Sequence, residues 1–200
     1  LSNPCSLKQW NNSSLTIPMR TFKTIILIFV AALVSCGQTE NLYSNFRCYF
    51  YFDNSTHNDA TLATAMTPYS GTFTTISLSA GKFVFSNNQG LNSVVNMTAQ
   101  DQQRSMIVGM NNGLIVGYGT SADGTFFAYD RECPNCFNIN QIPVRSYKIS
   151  VSDFGIGSCA NCHREYDLNN GGIISKGDPG NKLSRYYATT TGPYGRLTVQ

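Results

Sequence analysis

The chain has 200 residues, of which 12% are charged and 42% hydrophobic, and its formal net charge is +3. This length predicts one domain with a leader, and so little charge excludes the clustered basic face that nucleic-acid binding needs. Asn, Thr, Ser, Gly and Tyr are abundant and no long amphipathic helical pattern follows residue 40, which favours an exported, β-rich protein.

The first predicted element is an export signal. Met19 is followed by basic residues, an apolar run over 24–34 and the box Leu-Val-Ser-Cys that ends at Cys36. These features are typical of a secretory signal, and the run is shorter than the about 20 residues of a membrane span. The box resembles that of a bacterial lipoprotein, which implies that Cys36 is lipidated and anchors the chain to a membrane. An ordinary signal peptide and a single N-terminal membrane anchor are the alternatives.

These features predict the domain boundaries and the location. Residues 1–18 form an upstream, non-native translated segment, 19–35 the signal peptide, 36–45 the lipid anchor and tether, and 46–200 the folded domain. The expected location is the bacterial cell envelope, after export across the inner membrane.

The rest of the chain reads as short strands between turns. Strands are predicted over 47–53, 72–78, 82–86, 93–98, 113–118, 125–130, 144–151, 166–168, 173–175, 183–189 and 196–199. The segment 54–68 is predicted to be irregular, and 101–105 to form a helical turn. Asp-Gly at 123–124 and Asn-Gly at 170–171 are typical of tight hairpins. Turn signals at this spacing predict an all-β fold, an antiparallel sandwich or barrel.

Four of the seven cysteines form two matched pairs. Cys133-Pro-Asn-Cys136 is followed, after 22 residues, by Cys159-Ala-Asn-Cys162-His163. Four thiolates at this spacing form a tetrahedral cage for zinc or iron. The sequence therefore predicts that the four cysteines bind a metal or cofactor. His163 is a weaker candidate, because one turn seldom offers two adjacent residues to the same ion.

Three interpretations of this site remain open. The first is a mononuclear four-cysteine site, most simply structural Zn²⁺; the second is a [2Fe–2S] cluster. The third is a pair of disulfides, or redox thiols, in an oxidising compartment. Four cysteines leave no open position for a catalytic zinc, and no catalytic residue or enzyme activity is predicted. A redox-active form would be an electron carrier and not a hydrolase or transferase.

Three stretches resemble the Rieske iron–sulfur domain, within the region 114–199. They are F-F-A-Y-D-R-E-C-P-N-C at 126–136, C-A-N-C-H-R-E-Y-D-L-N-N-G-G at 159–172 and K-L-S-R-Y at 182–186. The resemblance implies a Rieske-like antiparallel β-sandwich or barrel with two metal-binding hairpin loops. It also implies a [2Fe–2S] electron carrier, with an electron-transfer or envelope protein as partner.

The chain departs from the Rieske pattern at the ligands. Cys133 and Cys159 fall on the family's two cysteine positions, whereas Asn135 and Cys162 fall on its two histidine positions. Those histidines raise the potential of a Rieske centre. A four-cysteine mononuclear site is therefore favoured, and a cluster here would have a lower potential.

The remaining reactive residues have simpler interpretations. Cys48 lies in the first predicted strand and is expected to be a buried apolar thiol. His57 lies in the polar segment and is expected to be solvated and not a ligand. Glu165, Asp167 and Asp178 follow the turn chemistry of a hairpin and a loop.

Overall fold

The computed structural model describes residues 41–200. The predictions for residues 1–40, including the signal peptide and the lipidation of Cys36, lie outside this range. None of the described helices has the length and apolar character needed to cross a membrane.

Short strands make up most of the regular structure of residues 41–200. The strands are β1 Phe50–Asp53, β2 Phe73–Ser79, β3 Lys82–Asn87, β4 Asn92–Asn96, β5 Leu114–Tyr118, β6 Phe126–Asp130, β7 Ser150–Val151, β8 Ile156–Ser158, β9 Glu165–Asp167, β10 Ile173–Lys176, β11 Ala188–Thr190 and β12 Arg196–Val199. The helices are α1 Asn54–His57, α2 Ala60–Ala65, α3 Ala99–Gln103 and a 3₁₀ helix at Leu168–Asn170.

The strands form three antiparallel sheets. The large sheet has the order β4-β3-β2-β5-β6, the small sheet β10-β9-β8-β7, and the terminal sheet β1-β12-β11. All the strand pairs are antiparallel. The predicted all-β class is therefore confirmed.

Aromatic rings join the large sheet to the terminal sheet. Phe50 and Phe52 of β1 and Phe83 and Phe85 of β3 are at most 1% exposed, and we call these four residues the phenylalanine core. Phe83 meets Phe52 edge to face at a ring distance of 4.9 Å. Side chains two residues apart on a strand share one face, which explains why each strand contributes two of these rings. Burial of each ring contributes roughly 2–3 kcal/mol.

Cys48 packs against this core, as predicted. The residue is 6% exposed and belongs to the same buried cluster as the phenylalanine core. Burial raises the pKa of its thiol to about 11, which keeps the group protonated and unreactive.

The prediction that 54–68 is irregular is wrong, because the segment contains α1 and α2. Each helix begins after an aspartate whose carboxylate accepts a backbone hydrogen bond. Asp53 accepts from Ser55 N–H at 3.1 Å, and Asp59 accepts from Leu62 N–H at 2.7 Å. α2 is stabilised further because Leu62 is fully buried.

Two predicted strands are shorter in the structure. The strand predicted over 144–151 is reduced to β7 and an isolated bridge at Lys148, because the N–H of Tyr147 is taken by the Glu132 carboxylate. The strand predicted over 183–189 is replaced by an isolated bridge at Arg185 and by β11. The predicted helical turn at 101–105 is present as α3, two residues earlier.

The cysteine pairs belong to a second buried cluster, in which Cys136 and Cys162 are partly buried. Cys133 and Cys159 pack there with Ile149, Tyr166 and other apolar residues. The strands approach closely at Gly157, where an added Cβ would lie 2.7 Å from the Cγ2 atom of Ile149. This packing carries both cysteine pairs to one place.

Candidate metal centre

The two cysteine pairs converge into one group of four sulfur atoms, which we call the thiol cluster. Cys133 and Cys136 lie in the loop after β6, and Cys159 and Cys162 lie in the turn between β8 and β9. The four Sγ atoms all lie within 4.8 Å of one another. The Cys133–Cys162 separation is 3.7 Å and the Cys136–Cys159 separation is 3.8 Å. All four thiols are free, and together they could hold a metal ion.

The first loop is shaped by its own backbone. The carbonyl of Cys133 accepts from the N–H of Cys136 at 3.1 Å and from that of Phe137 at 2.8 Å. The N–H of Cys133 donates to the carbonyl of Tyr147 at 3.0 Å. These bonds close a tight turn that directs both sulfurs to one side.

The second loop closes in a similar way. The carbonyl of Cys159 accepts from His163 N–H at 2.9 Å, and Cys159 N–H donates to the carbonyl of Arg164 at 3.1 Å. His163 has a φ of 57°, a left-handed conformation that reverses the chain after Cys162. Its side chain is exposed, and the thiol cluster contains no atom of His163.

Polar side chains surround the sulfurs. The Tyr166 hydroxyl lies 3.2 Å from the Sγ atom of Cys133, and the Asn135 amide donates to that hydroxyl at 2.9 Å. The Asn161 amide donates to the Sγ atom of Cys136 at 3.3 Å. Donors of this kind orient metal ligands and offset the negative charge of thiolates.

A third loop, residues 177–181, supports the first. The Asn135 amide donates to the carbonyl of Asn181 at 2.8 Å and accepts from its N–H at 2.8 Å. A Cβ at Gly180 would lie 2.4 Å from the Asn135 side-chain oxygen, so only glycine fits at this contact. The loop thereby fixes the side chain that hydrogen-bonds Tyr166.

The same loop positions a cation beside the second pair. Arg164 donates to the carbonyls of Asp178 at 2.9 Å and Pro179 at 3.2 Å. Partial burial acts to raise the pKa of the Cys162 thiol, but hydrogen bonds from the side chain and backbone of Arg164 lower it to about 6. Cys162 is thus the thiol best prepared to give a thiolate.

The pKa shifts upward at two other sulfurs of the cluster, where burial is the largest cause. Desolvation raises the pKa of Cys133 and of Cys136, and it also raises the pKa of Tyr166, which keeps that hydroxyl protonated. Four thiolates in one buried place need a counter-charge. A bound cation would supply that charge, and its binding would release the thiol protons.

Glu132 is a supporting residue that was not singled out from the sequence. It is 3% exposed, and its carboxylate accepts from the Asn111 amide at 2.8 Å and also from Ser146 and the N–H of Tyr147. Because Tyr147 in turn accepts from Cys133, Glu132 anchors the base of the first loop. The only sequence signal is a charged residue directly before the first cysteine.

The prediction that His57 is solvated is wrong. Its side chain is 7% exposed, and its Nε2 atom lies 3.0 Å from a carboxylate oxygen of Asp101. The ring stacks on Phe52 at 4.7 Å. The capped helix α1 turns the side chain inward, against a partner 44 residues away. His57 is not part of the thiol cluster.

Asp167 has the role expected from turn chemistry, whereas Glu165 forms a cross-strand ion pair instead. The Asp167 carboxylate accepts from the N–H of Asn169 at 3.0 Å, at the start of the 3₁₀ helix. Glu165 pairs with Lys176 across the small sheet at 2.9 Å. The carbonyl of Asp178 accepts from Arg164.

Comparisons with protein-family models, curated proteins and solved structures find no match for this chain. The resemblance to Rieske domains therefore stays a prediction from the residues. The chemistry of the site is interpreted from its own geometry.

Proposed function

We propose that the protein is a metal-binding protein whose thiol cluster holds one Zn²⁺ ion in a structural role. A tetrahedral zinc site with Zn–S bonds of about 2.3 Å has sulfur–sulfur edges of about 3.8 Å. Two separations in the thiol cluster, 3.7 and 3.8 Å, have this length. This match of edge lengths is the observation that carries the proposal.

The same distances favour one ion over two. In a [2Fe–2S] cluster each iron takes two protein ligands, so sulfurs on different irons lie farther apart than the edges of one tetrahedron. All four Sγ atoms here lie within 4.8 Å of one another. A two-iron cluster would require some of these sulfurs to move apart.

A structural role is supported by the donor set and by the strands around it. Four cysteines fill a tetrahedral shell and leave no position for a substrate or a reactive water. The ion would join the loop after β6 to the turn between β8 and β9, where the strands have only two to five residues. Structural zinc contributes its binding free energy to folding.

Elemental analysis with an absorption spectrum tests the proposal. The full-length protein is purified without air and without added metal. About one zinc per chain without colour is the expected result. Iron with a visible sulfur-to-iron band would instead favour the electron carrier that the Rieske resemblance implies. Absence of both metals, with four oxidised thiols, would mean disulfides and would overturn the proposal.

We also propose that Cys36 is lipidated and anchors the protein in a bacterial envelope membrane, where an envelope protein would be its partner. The support is the signal-like segment that ends in Leu-Val-Ser-Cys36. Mass spectrometry of the N-terminal peptide, from protein made in a bacterium, is expected to find an acylated Cys36. Cys36→Ser should release the protein from membranes, and the control Cys5→Ser should not. A Cys36→Ser protein that stays acylated would contradict the proposal.

A further inference from the structure

A polar cavity lies apart from the thiol cluster, beside β1, α1 and α3. It has a volume of about 290 Å³, and we call it the His57 pocket. Its lining includes Tyr51, Asp53, His57, Gln100, Asp101 and Arg104. None of the cysteines in residues 41–200 lines it, so nothing in the proposed zinc site accounts for it.

A buried acid–histidine pair fixes one wall of the His57 pocket. The side chains of His57 and Asp101 are 7% and 6% exposed. One oxygen of Asp101 accepts from the Thr98 N–H at 2.9 Å and from its hydroxyl at 2.6 Å, and it lies 3.0 Å from Nε2 of His57. Burial acts to raise the pKa of Asp101, but these hydrogen bonds lower it, which keeps the carboxylate ionised.

The pairing determines what His57 offers to a ligand. Because an ionised carboxylate only accepts hydrogen bonds, Nε2 of His57 carries the proton that is shared with Asp101. Nδ1 makes no hydrogen bond to any residue in the range 41–200. In the neutral ring Nδ1 is an acceptor, and it suits a hydroxyl donor.

Arg104 supplies a cation without an acidic partner. Its guanidinium lies 3.9 Å from the centroid of the Tyr51 ring, and its Nε atom is buried without a hydrogen-bond partner. No described carboxylate lies within ion-pair distance of this side chain. The planar guanidinium matches a carboxylate with two parallel hydrogen bonds, and its two terminal nitrogens, which are not buried, are the donors that a ligand in the cavity can reach.

The other acid of the pocket is already neutralised. Asp53 accepts from the hydroxyl of Ser55 at 2.5 Å and pairs with Arg196 at 3.4 Å. Asp101 is hydrogen-bonded by His57 and Thr98. Among the charged side chains that line the His57 pocket, Arg104 is therefore the one without a hydrogen bond or ion pair to residues 41–200.

We propose that the His57 pocket binds a small hydroxylated carboxylic acid. The carboxylate pairs with Arg104, and a hydroxyl group donates to Nδ1 of His57. The ring of Tyr51 holds the guanidinium flat. The cavity is large enough for an acid of about six carbons, since small-molecule sites begin at roughly this volume.

Calorimetry with three matched probes tests both halves of the recognition. Gluconate carries the carboxylate and the hydroxyls, hexanoate lacks the hydroxyls, and glucose lacks the carboxylate. The full-length, metal-loaded protein is expected to bind one gluconate per chain. It should bind hexanoate and glucose at least about tenfold more weakly than gluconate. Failure to bind gluconate saturably would overturn the proposal, as would equal binding of either control probe.

Substitutions of residues in the His57 pocket test whether gluconate binds there. Arg104→Gln should weaken gluconate binding about tenfold or more. Arg145→Gln is the matched control, because Arg145 is exposed in the loop after the first cysteine pair, and it should leave binding unchanged. His57→Gln should reduce the preference for gluconate over hexanoate. Unchanged binding by Arg104→Gln would refute the assignment.

One readout needs no variant and covers the case in which Arg104→Gln does not fold. The Nε–H group of Arg104 gives its own signal in nitrogen–proton NMR spectra of the unaltered protein. Gluconate is expected to shift this signal in step with the calorimetric saturation. Saturation without movement of the signal would show that gluconate binds elsewhere and would overturn the proposal.

Discussion

The phenylalanine core and the thiol cluster are both buried in the same domain, yet different forces hold them. The four side chains of the phenylalanine core are apolar and are removed from water, so their stabilisation needs no ligand from solution. Cys133 is as deeply buried, but in the proposed zinc site its sulfur would gain its full stabilisation only with the ion bound. The proposal therefore places in one domain a core that is stable without a ligand and a second core that depends on a metal ion.

The large and small sheets differ in the length of their strand pairs. β2 and β3 of the large sheet are joined by six residue pairs, from Thr74 to Ser79. β7 and β8 of the small sheet are joined by two. A ladder this short supplies few hydrogen bonds, and strands in isolation are marginal. The small sheet therefore depends more on the thiol cluster than the large sheet does.

The largest effect is expected from loss of one sulfur. Cys133→Ser should release the metal and lower the free energy of unfolding by on the order of 5 kcal/mol, because metal binding adds to folding. Zinc content and denaturant unfolding measure both effects. Cys48→Ser, at the other buried cysteine, is the control and should keep the zinc with a loss of about 1–2 kcal/mol. A folded Cys133→Ser protein with its full zinc content would contradict the account.

A change in the phenylalanine core should lower the free energy of unfolding without releasing the zinc. Phe83→Ala should cost about 3–5 kcal/mol through lost burial and the cavity that remains. Below its lowered melting temperature the protein should still bind one zinc. Phe154→Ala, at a side chain that is 84% exposed, should change neither quantity. Zinc loss from folded Phe83→Ala protein would show that the two regions are not independent.

A pair of tyrosines sharpens the comparison. Tyr166→Phe removes the hydroxyl beside Cys133 and should weaken zinc binding about 10- to 100-fold, as is typical of groups that support ligands. The Tyr186 hydroxyl instead donates to Asp130 at 2.9 Å. Tyr186→Phe should lower the stability by about 1–2 kcal/mol with unchanged zinc affinity. Competition with a coloured chelator measures the zinc affinities. Equal losses of affinity in the two variants would contradict a special role for the Tyr166 hydroxyl at the thiol cluster.

The smallest expected effect is a pH dependence at Asp101. Its folded pKa lies below the unfolded value of about 3.9, so its ionised form favours folding above that pH. The contribution should be lost as the pH falls through the folded pKa. Asp101→Asn should therefore cost about 1 kcal/mol at neutral pH and almost nothing at strongly acidic pH. Urea unfolding of both proteins measures the difference, and a pH-independent gap would contradict it.

The sequence predicted what depends on local pattern. Alternation and turn residues located most strands, and the spacing of Cys133-x-x-Cys136 and Cys159-x-x-Cys162 identified four sulfurs that do meet. Two residues between cysteines fit a tight turn, and Pro134, Asn135 and Asn161 are residue types that favour one. The all-β class followed from the same local signals.

The sequence did not predict what depends on distant partners. His57 is buried because it contacts Asp101, which lies 44 residues away in sequence. Glu132 likewise accepts a hydrogen bond from Asn111, which lies 21 residues before it. α1 has only four residues and depends on its cap and on burial. Periodicity carries no information about such pairs, since they form only when the sheets assemble.

The most direct test of the central claim is X-ray absorption at the zinc edge of the purified protein. A single zinc with four sulfur neighbours at about 2.3 Å is the predicted result. Cys162→Ser protein, if it retains zinc, should show one sulfur fewer. A nitrogen or oxygen ligand in the unaltered protein would contradict the four-cysteine site. Iron in place of zinc, with a second iron beside it, would contradict the mononuclear site and favour the electron carrier.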